Sequence, residues 1–202
     1  MLRLPLLLRR LPVVLITAML GLLLSTAAQA QKFDIQPVAE KTVSQLPPGP
    51  LFWRIETFPT LAKAQAAASP TALVAEVAGQ AWLFTLGPPG GSSGGSKVAE
   101  IGPVPAFKAP EYLLRVVRSG GSPGARTPVH THPGSETFYV LSGELTQRTP
   151  EGVNRVSAGQ SMPGHPPNTP MQVSSSGDDG LSAMVMFVND ATKPFSSPAT
   201  MP

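Results

Sequence analysis

The chain has no cysteine. That excludes disulfides, thiolate nucleophiles and thiolate metal ligands, so stability must come from packing alone. Histidine is scarce: the whole chain holds three, His130, His132 and His165. No Ser-His-Asp set and no hydrolase-type pair of carboxylates stands out. Helical periodicity is nearly absent. There is no basic stripe either. The fifteen basic residues include Arg3, Arg9 and Arg10; without those, twelve basic residues face twelve acidic ones. A near-neutral chain gives no reason to expect nucleic acid or an anionic membrane as partner.

Those three arginines open a stretch that lies outside the fold. Leu11 to Leu24 is almost unbroken apolar sequence, and Ala28-Gln29-Ala30 follows as a small-x-small cleavage site. The pattern predicts a secretory signal peptide over residues 1–30, cut after Ala30. The apolar run is short for a full membrane span. The mature protein is therefore expected in a periplasm or beyond, with no stable membrane association after cleavage.

The next segment, 31–50, is polar and ends in Pro47-Pro48-Gly49-Pro50, which predicts an extended arm or linker. Such an arm can pack on its own barrel or on a neighbouring subunit, so a homodimer is left open. Segment 51–110 reads as strands and one short helix. Leu51 to Phe58 is a strand, and Thr60 to Ser69 is an alanine-rich helix with Thr60 as N-cap. Ala72–Val77 and Ala81–Leu86 flank Gly79-Gln80 as a β-hairpin, with Trp82 and Phe84 on a core face. The glycine/serine run Pro88 to Ser96 is read as loop. No lysine–Ser/Thr pattern of the phosphate-binding kind follows it and no helix begins there, so the phosphate-cradle reading is rejected.

Segment 111–190 carries the longest strands. Tyr112 to Arg118 and Leu181 to Val188 are apolar on both sides, as strands covered on both faces should be. Glu136–Leu141 and Glu144–Arg148 are predicted to pair through a turn at Ser142-Gly143. The tail, 191–202, is rich in proline and serine. Many short strands and hardly any helix predict an all-β sandwich or barrel.

The chemistry concentrates between Gly124 and Gly143. His130 and His132 are two residues apart, and strand geometry points i and i+2 the same way. Pro133-Gly134 then reverses the chain and can return Glu136 to the imidazoles. Two imidazoles and one carboxylate suit a divalent transition metal with open positions. Gly124, His130, His132, Glu136 and Gly143 also stand at the fixed spacing of the first motif of the cupin family, which this stretch resembles. The resemblance implies an antiparallel jelly-roll barrel with a central metal: Fe, Mn, Ni, Zn or Cu.

The family's second motif matches less well. In Gly159 to Val173, Pro166-Pro167-Asn168-Thr169-Pro170 resembles its Pro-x-Gly turn, with Asn168 in place of glycine. The histidine that usually serves as a further ligand then falls on Met171. Thioether sulfur is a poor partner for a hard divalent ion, so Met171 is expected to line the cavity. His165, just before the turn, is a candidate substitute ligand, a proton shuttle or a surface residue. Leu141, Met184 and Met186 are further candidates for the pocket wall, against the simpler reading of Met184 and Met186 as core.

Three protein ligands leave positions for water, a bidentate substrate or O₂. The resemblance thus implies a metal-dependent oxygenase acting on a small enol or phenolic molecule. The other reading is a non-catalytic cupin that binds a small ligand or a metal.

Overall fold

The computed structural model describes residues 32–201. The signal peptide expected over 1–30 lies outside the described residues. In chain order the elements are β1 (Asp34–Val43), β2 (Phe52–Phe58), α1 (Leu61–Ala66), β3 (Ala72–Val77), β4 (Gln80–Gly87), β5 (Ser96–Ile101) and β6 (Tyr112–Gly121). Then follow β7 (His130–Thr131), β8 (Gly134–Ser142), β9 (Glu144–Thr149), β10 (Gly152–Ser157), β11 (Ser161–Met162), β12 (Gln172–Ser175), β13 (Leu181–Asp190) and β14 (Ser197–Pro198). The fold is all-β and antiparallel, a jelly-roll barrel with one short helix in its N-terminal extension.

A five-stranded sheet ordered β1-β6-β13-β8-β11 forms the middle layer. On one side it faces the small sheet β10-β9-β12, and the two enclose the barrel interior. On the other side it carries the N-terminal sheet β3-β4-β2-β5. The central strands of this layer are covered on both faces, which is why β6 and β13 are apolar at successive positions. Leu114 and Val116 of β6 join Trp53, Ile55 and Phe84 in the outer core. Val117, one residue further, joins Phe138, Leu145 and Val173 in the inner core.

The segment expected as an arm is largely strand. β1 pairs with β6 from Asp34↔Gly120 to Val43↔Tyr112 and forms an edge of the middle sheet. Helix α1 forms where expected. Thr60 caps it by accepting the Lys63 backbone N–H at 3.2 Å, and Ala64 is buried against Phe58 and Leu83. The β3–β4 turn falls one residue earlier than expected, on Ala78 and Gly79, both with positive φ. A two-residue hairpin loop of type I′ needs that conformation at both positions. The glycine/serine loop has a structural task. Ser93 N–H donates to Glu56 Oε1 at 2.9 Å, and Ser92 Oγ at 3.2 Å, over the buried Arg54–Glu56 pair.

Two expectations are corrected. β8 and β9 follow each other through Gly143 but do not pair; they belong to different sheets. Gly143, at φ +74°, bends the chain across the barrel instead of closing a hairpin. Met184, Met186 and Leu141 do not line the interior cavity. Met184 and Met186 share their parity on β13 with Val188 and point into the outer core; the inward positions are Ala183, Val185 and Phe187. Leu141 packs against the same outer core, at a bulge where the β8–β13 register passes from Val140 to Ser142.

This placement makes Met186→Ala a test of the layering. Deleting a fully buried side chain in the outer core should cost about 2–5 kcal/mol. Denaturant melts should show that loss while the folded variant keeps its metal content. Impaired metal retention in a folded Met186→Ala protein would contradict the layer assignment.

Candidate metal centre

β7 is only two residues long, yet it is held on both sides. Its His130 exchanges backbone hydrogen bonds with Met171, at 2.9 and 2.8 Å. On the other side β14 pairs with it through Ser197↔Thr131 and Pro198↔His130. Pro133 and Gly134 then turn the chain into β8. Gly134 is required there by close approach: a Cβ would stand 1.9 Å from the Val188 carbonyl oxygen. Two residues later Glu136 points inward, opposite Phe187 of β13.

The result is a cluster in which one ligand atom each from His130, His132 and Glu136 lies within 4.8 Å of the others. The two imidazole rings meet edge to face, with centroids 4.9 Å apart. His132 Nε2 is 4.0 Å from Glu136 Oε2. Both imidazoles are tied at the opposite nitrogen. Nδ1 of His130 is 2.9 Å from the Pro128 carbonyl oxygen, and Nδ1 of His132 is 2.7 Å from that of Phe195. A carbonyl can only accept, so in the neutral ring each Nδ1 carries the proton and each Nε2 keeps its lone pair. That is the arrangement a metal-ligating histidine needs.

Burial sets the charge state. It pushes the His132 imidazole down to about 4, with the Phe195 hydrogen bond opposing and His130 adding a little. It pushes the Glu136 carboxyl up to about 8. Glu136 Oε2 is buried and has no hydrogen-bond partner among the described residues. A buried carboxyl oxygen left without a partner costs about 1–3 kcal/mol. A divalent cation between Glu136 Oε2 and the two Nε2 atoms would satisfy it, so the residues present fit a metal.

The cluster opens into a cavity of about 760 Å³. Phe187, Phe138, Val117, Val173 and Val185 form much of its wall. The C-terminal tail closes one side. Phe195 packs on both His132 and Phe187, with centroids 5.0 and 4.9 Å away.

The second-motif candidates settle differently from expectation. Asn168 has φ +65°, the left-handed conformation expected of the glycine substitute, and its N–H donates to the His132 carbonyl at 2.8 Å. Met171 is buried across from His130, but it does not line the cavity; its sulfur accepts a hydrogen bond from Gln147 Nε2 at 3.4 Å. His165 is not among the clustered donors. Its Nε2 lies 2.7 Å from Gln147 Oε1, and burial lowers its pKa. Gln147 thus links the His165 and Met171 side chains, and His165 stays outside the ligand set.

Sequence reasoning missed Phe195 and Phe187 as parts of the cavity wall, and Gln147 as the partner of His165 and Met171. Gln147 shares the inward parity of Leu145 and Thr149 on β9, a signal open to reading. Phe195 is a lone aromatic in an irregular tail and carries no periodic signal.

The donor set, the barrel and the apolar cavity define a class: a small β-barrel protein whose His130, His132 and Glu136 could hold one metal ion. Residues 122–187 match the family model of the cupin domain, and that span is a cupin domain. No curated protein matches the chain. Among solved structures, the chain is similar to the DMSP lyase DddQ of Ruegeria pomeroyi, at 22% identity over 43% of each chain and a TM-score of 0.38. It is also similar to an oxalate decarboxylase of Lactobacillus farciminis, at 19% identity over 42% of this chain and 26% of that one, TM-score 0.37. A double-stranded β-helix protein of Klebsiella pneumoniae shows 26% identity over 43% of this chain and 75% of that one, TM-score 0.37. The chain thus spans less than half the length of the lyase and about a quarter of the decarboxylase.

The charge states predict a proton signature. Glu136 keeps its proton in the metal-free fold up to about pH 8, whereas the unfolded carboxyl loses it near pH 4. Its contribution to metal-free stability is therefore present at low pH and lost as pH rises through that window. Loading with metal at pH 7 should release close to one proton per ion. Calorimetry in buffers of different ionisation enthalpy measures it, and Glu136→Gln should abolish the release.

Proposed function

We propose that the protein is an exported, metal-dependent cupin oxygenase acting on a small enol or phenolic substrate. The observation that carries this reading is the unpartnered Glu136 oxygen beside two imidazoles, at the end of an apolar cavity. His130 and His132 would bind through Nε2 and Glu136 through its carboxylate. The metal, when bound, supplies Lewis acidity and open positions for substrate oxygens. The chain's own residues do the rest. Phe187 and Phe195 exclude water and offer ring faces to a flat molecule, and the Pro128 and Phe195 carbonyls hold the ligand tautomers.

A second reading, a non-catalytic metal or ligand binder, is favoured by Met171. The family's further histidine position is apolar here, and its sulfur is engaged by Gln147.

Metal analysis after dialysis tests the centre. His130→Ala, His132→Ala and Glu136→Ala should each lower retention by more than about tenfold, the scale on which even outer-shell partners act. His165→Ala should change it little. Unaltered metal content in His130→Ala and Glu136→Ala would place the site elsewhere. Oxygen uptake on a panel of phenols and enols then separates the two readings. Retained metal and ligand binding without uptake selects the binder.

Export rests on the basic start, the apolar run and Ala28-Gln29-Ala30. Among the described residues no helix is long and apolar enough to cross a membrane. N-terminal sequencing of secreted or periplasmic material should begin at Gln31. Full-length precursor confined to the cytoplasm would refute export.

A further inference from the structure

We infer that Arg115 is an anion-recognition residue, and that the cavity takes a flat apolar molecule bearing a carboxylate at the end remote from its metal-chelating oxygens. The chelating end rests on the metal reading above; the carboxylate end does not.

The geometry comes from one row across the middle sheet. Glu40 of β1 is opposite Arg115 of β6, Arg115 is opposite Phe187 of β13, and Phe187 is opposite Glu136 of β8. Directly opposed residues of antiparallel strands share a face. Arg115, Phe187 and Glu136 all line the cavity. Neighbouring strands are about 4.8 Å apart, so the Arg115 and Glu136 backbones stand roughly 10 Å apart with Phe187 between them. A ligand reaching from the metal cluster to Arg115 must cross the Phe187 and Phe195 rings.

The guanidinium is held for recognition. Its Nε donates to Glu40 Oε2 at 2.7 Å, and its Cζ stands 4.3 Å from the centre of the Phe195 ring. Those two contacts set its plane. Among the described residues its terminal nitrogens, Nη1 and Nη2, have no hydrogen-bond partner. A planar fork with two free amino groups matches a carboxylate. The rest of the cavity agrees in sign. Its other charged lining residues are Lys32, Arg126 and Glu136, and Glu136 is assigned to the metal. Neither Lys32 nor Arg126 forms an ion pair among the described residues. The competing account is a structural Arg115–Glu40 ion pair. Glu40 is half exposed there, so the pair itself contributes little.

The test uses zinc-loaded protein, since zinc has no redox chemistry. The probes are 3,4-dihydroxycinnamate and its methyl ester, which share the catechol and differ in the distant carboxylate. Calorimetric titration should show the acid binding about tenfold more tightly than the ester, the scale of one charge-assisted hydrogen-bonded pair. Arg115→Gln should erase that preference, and Glu40→Gln should preserve it. Arg115→Met keeps the stem and serves if the glutamine variant does not fold.

Equal binding of acid and ester by the wild type would overturn the inference. So would a preference that survives Arg115→Gln or Arg115→Met, or one abolished equally by Glu40→Gln. Zinc content is measured on every sample, and the acid–ester ratio is also taken on metal-free protein. Failure to hold zinc refutes the metal reading; loss of the ratio's dependence on Arg115 refutes this one.

Discussion

In β6, β8 and β13 every second side chain enters one core while its neighbours enter another. This alternation in strands covered on both faces is the constraint on which the site depends. Val117, Phe138, Val185 and Phe187 face inward; Leu114, Val116, Met184 and Met186 face the N-terminal sheet. A slip of one residue in β8 would move Glu136 out of the barrel and put Thr137 in its place. The outer core prevents such a slip by burying large side chains at the intervening positions. The N-terminal sheet therefore contributes to the site without touching it.

The His130–His132–Glu136 group itself sits on much weaker secondary structure. β7 and β14 have two residues each. Their order comes from hydrogen bonds to Met171, Pro128 and Phe195 rather than from a long ladder. Phe195 does two jobs there: its carbonyl fixes the His132 tautomer, and its ring fills space between His132, Phe187 and Arg115. The tail is thus part of the site. Charge is handled by exclusion of water. Burial leaves His132 neutral and Glu136 protonated at pH 7, so the metal-free barrel holds no uncompensated carboxylate and needs only to give up one proton to accept an ion.

Much of this was legible from residue order alone. His-x-His spacing, a Pro-Gly reversal and the following carboxylate are local features, and strand geometry converts them directly into a shared face. Two-sided apolar strands could likewise be read as buried on both faces. Two-sidedness, however, conceals which side is which. Met184 and Met186 look the same in sequence whether they face a ligand or another sheet, and only the packing of β13 on the N-terminal layer placed them in the outer core.

The sequence by itself determined the candidate donor set, the all-β class and the short capped helix, because each follows from spacing or chemistry within a few neighbouring residues. Tertiary structure alone decided the rest. It turned the polar stretch before Val43 into an edge strand, sent β9 to a different sheet from β8, and gave His165 to Gln147 rather than to the metal. It also brought Phe195 onto His132 and aligned Glu40, Arg115, Phe187 and Glu136 in one row. Those pairings join residues tens of positions apart. Their partners are selected by sheet register and by the shape of the remaining space, neither of which is written in any local pattern.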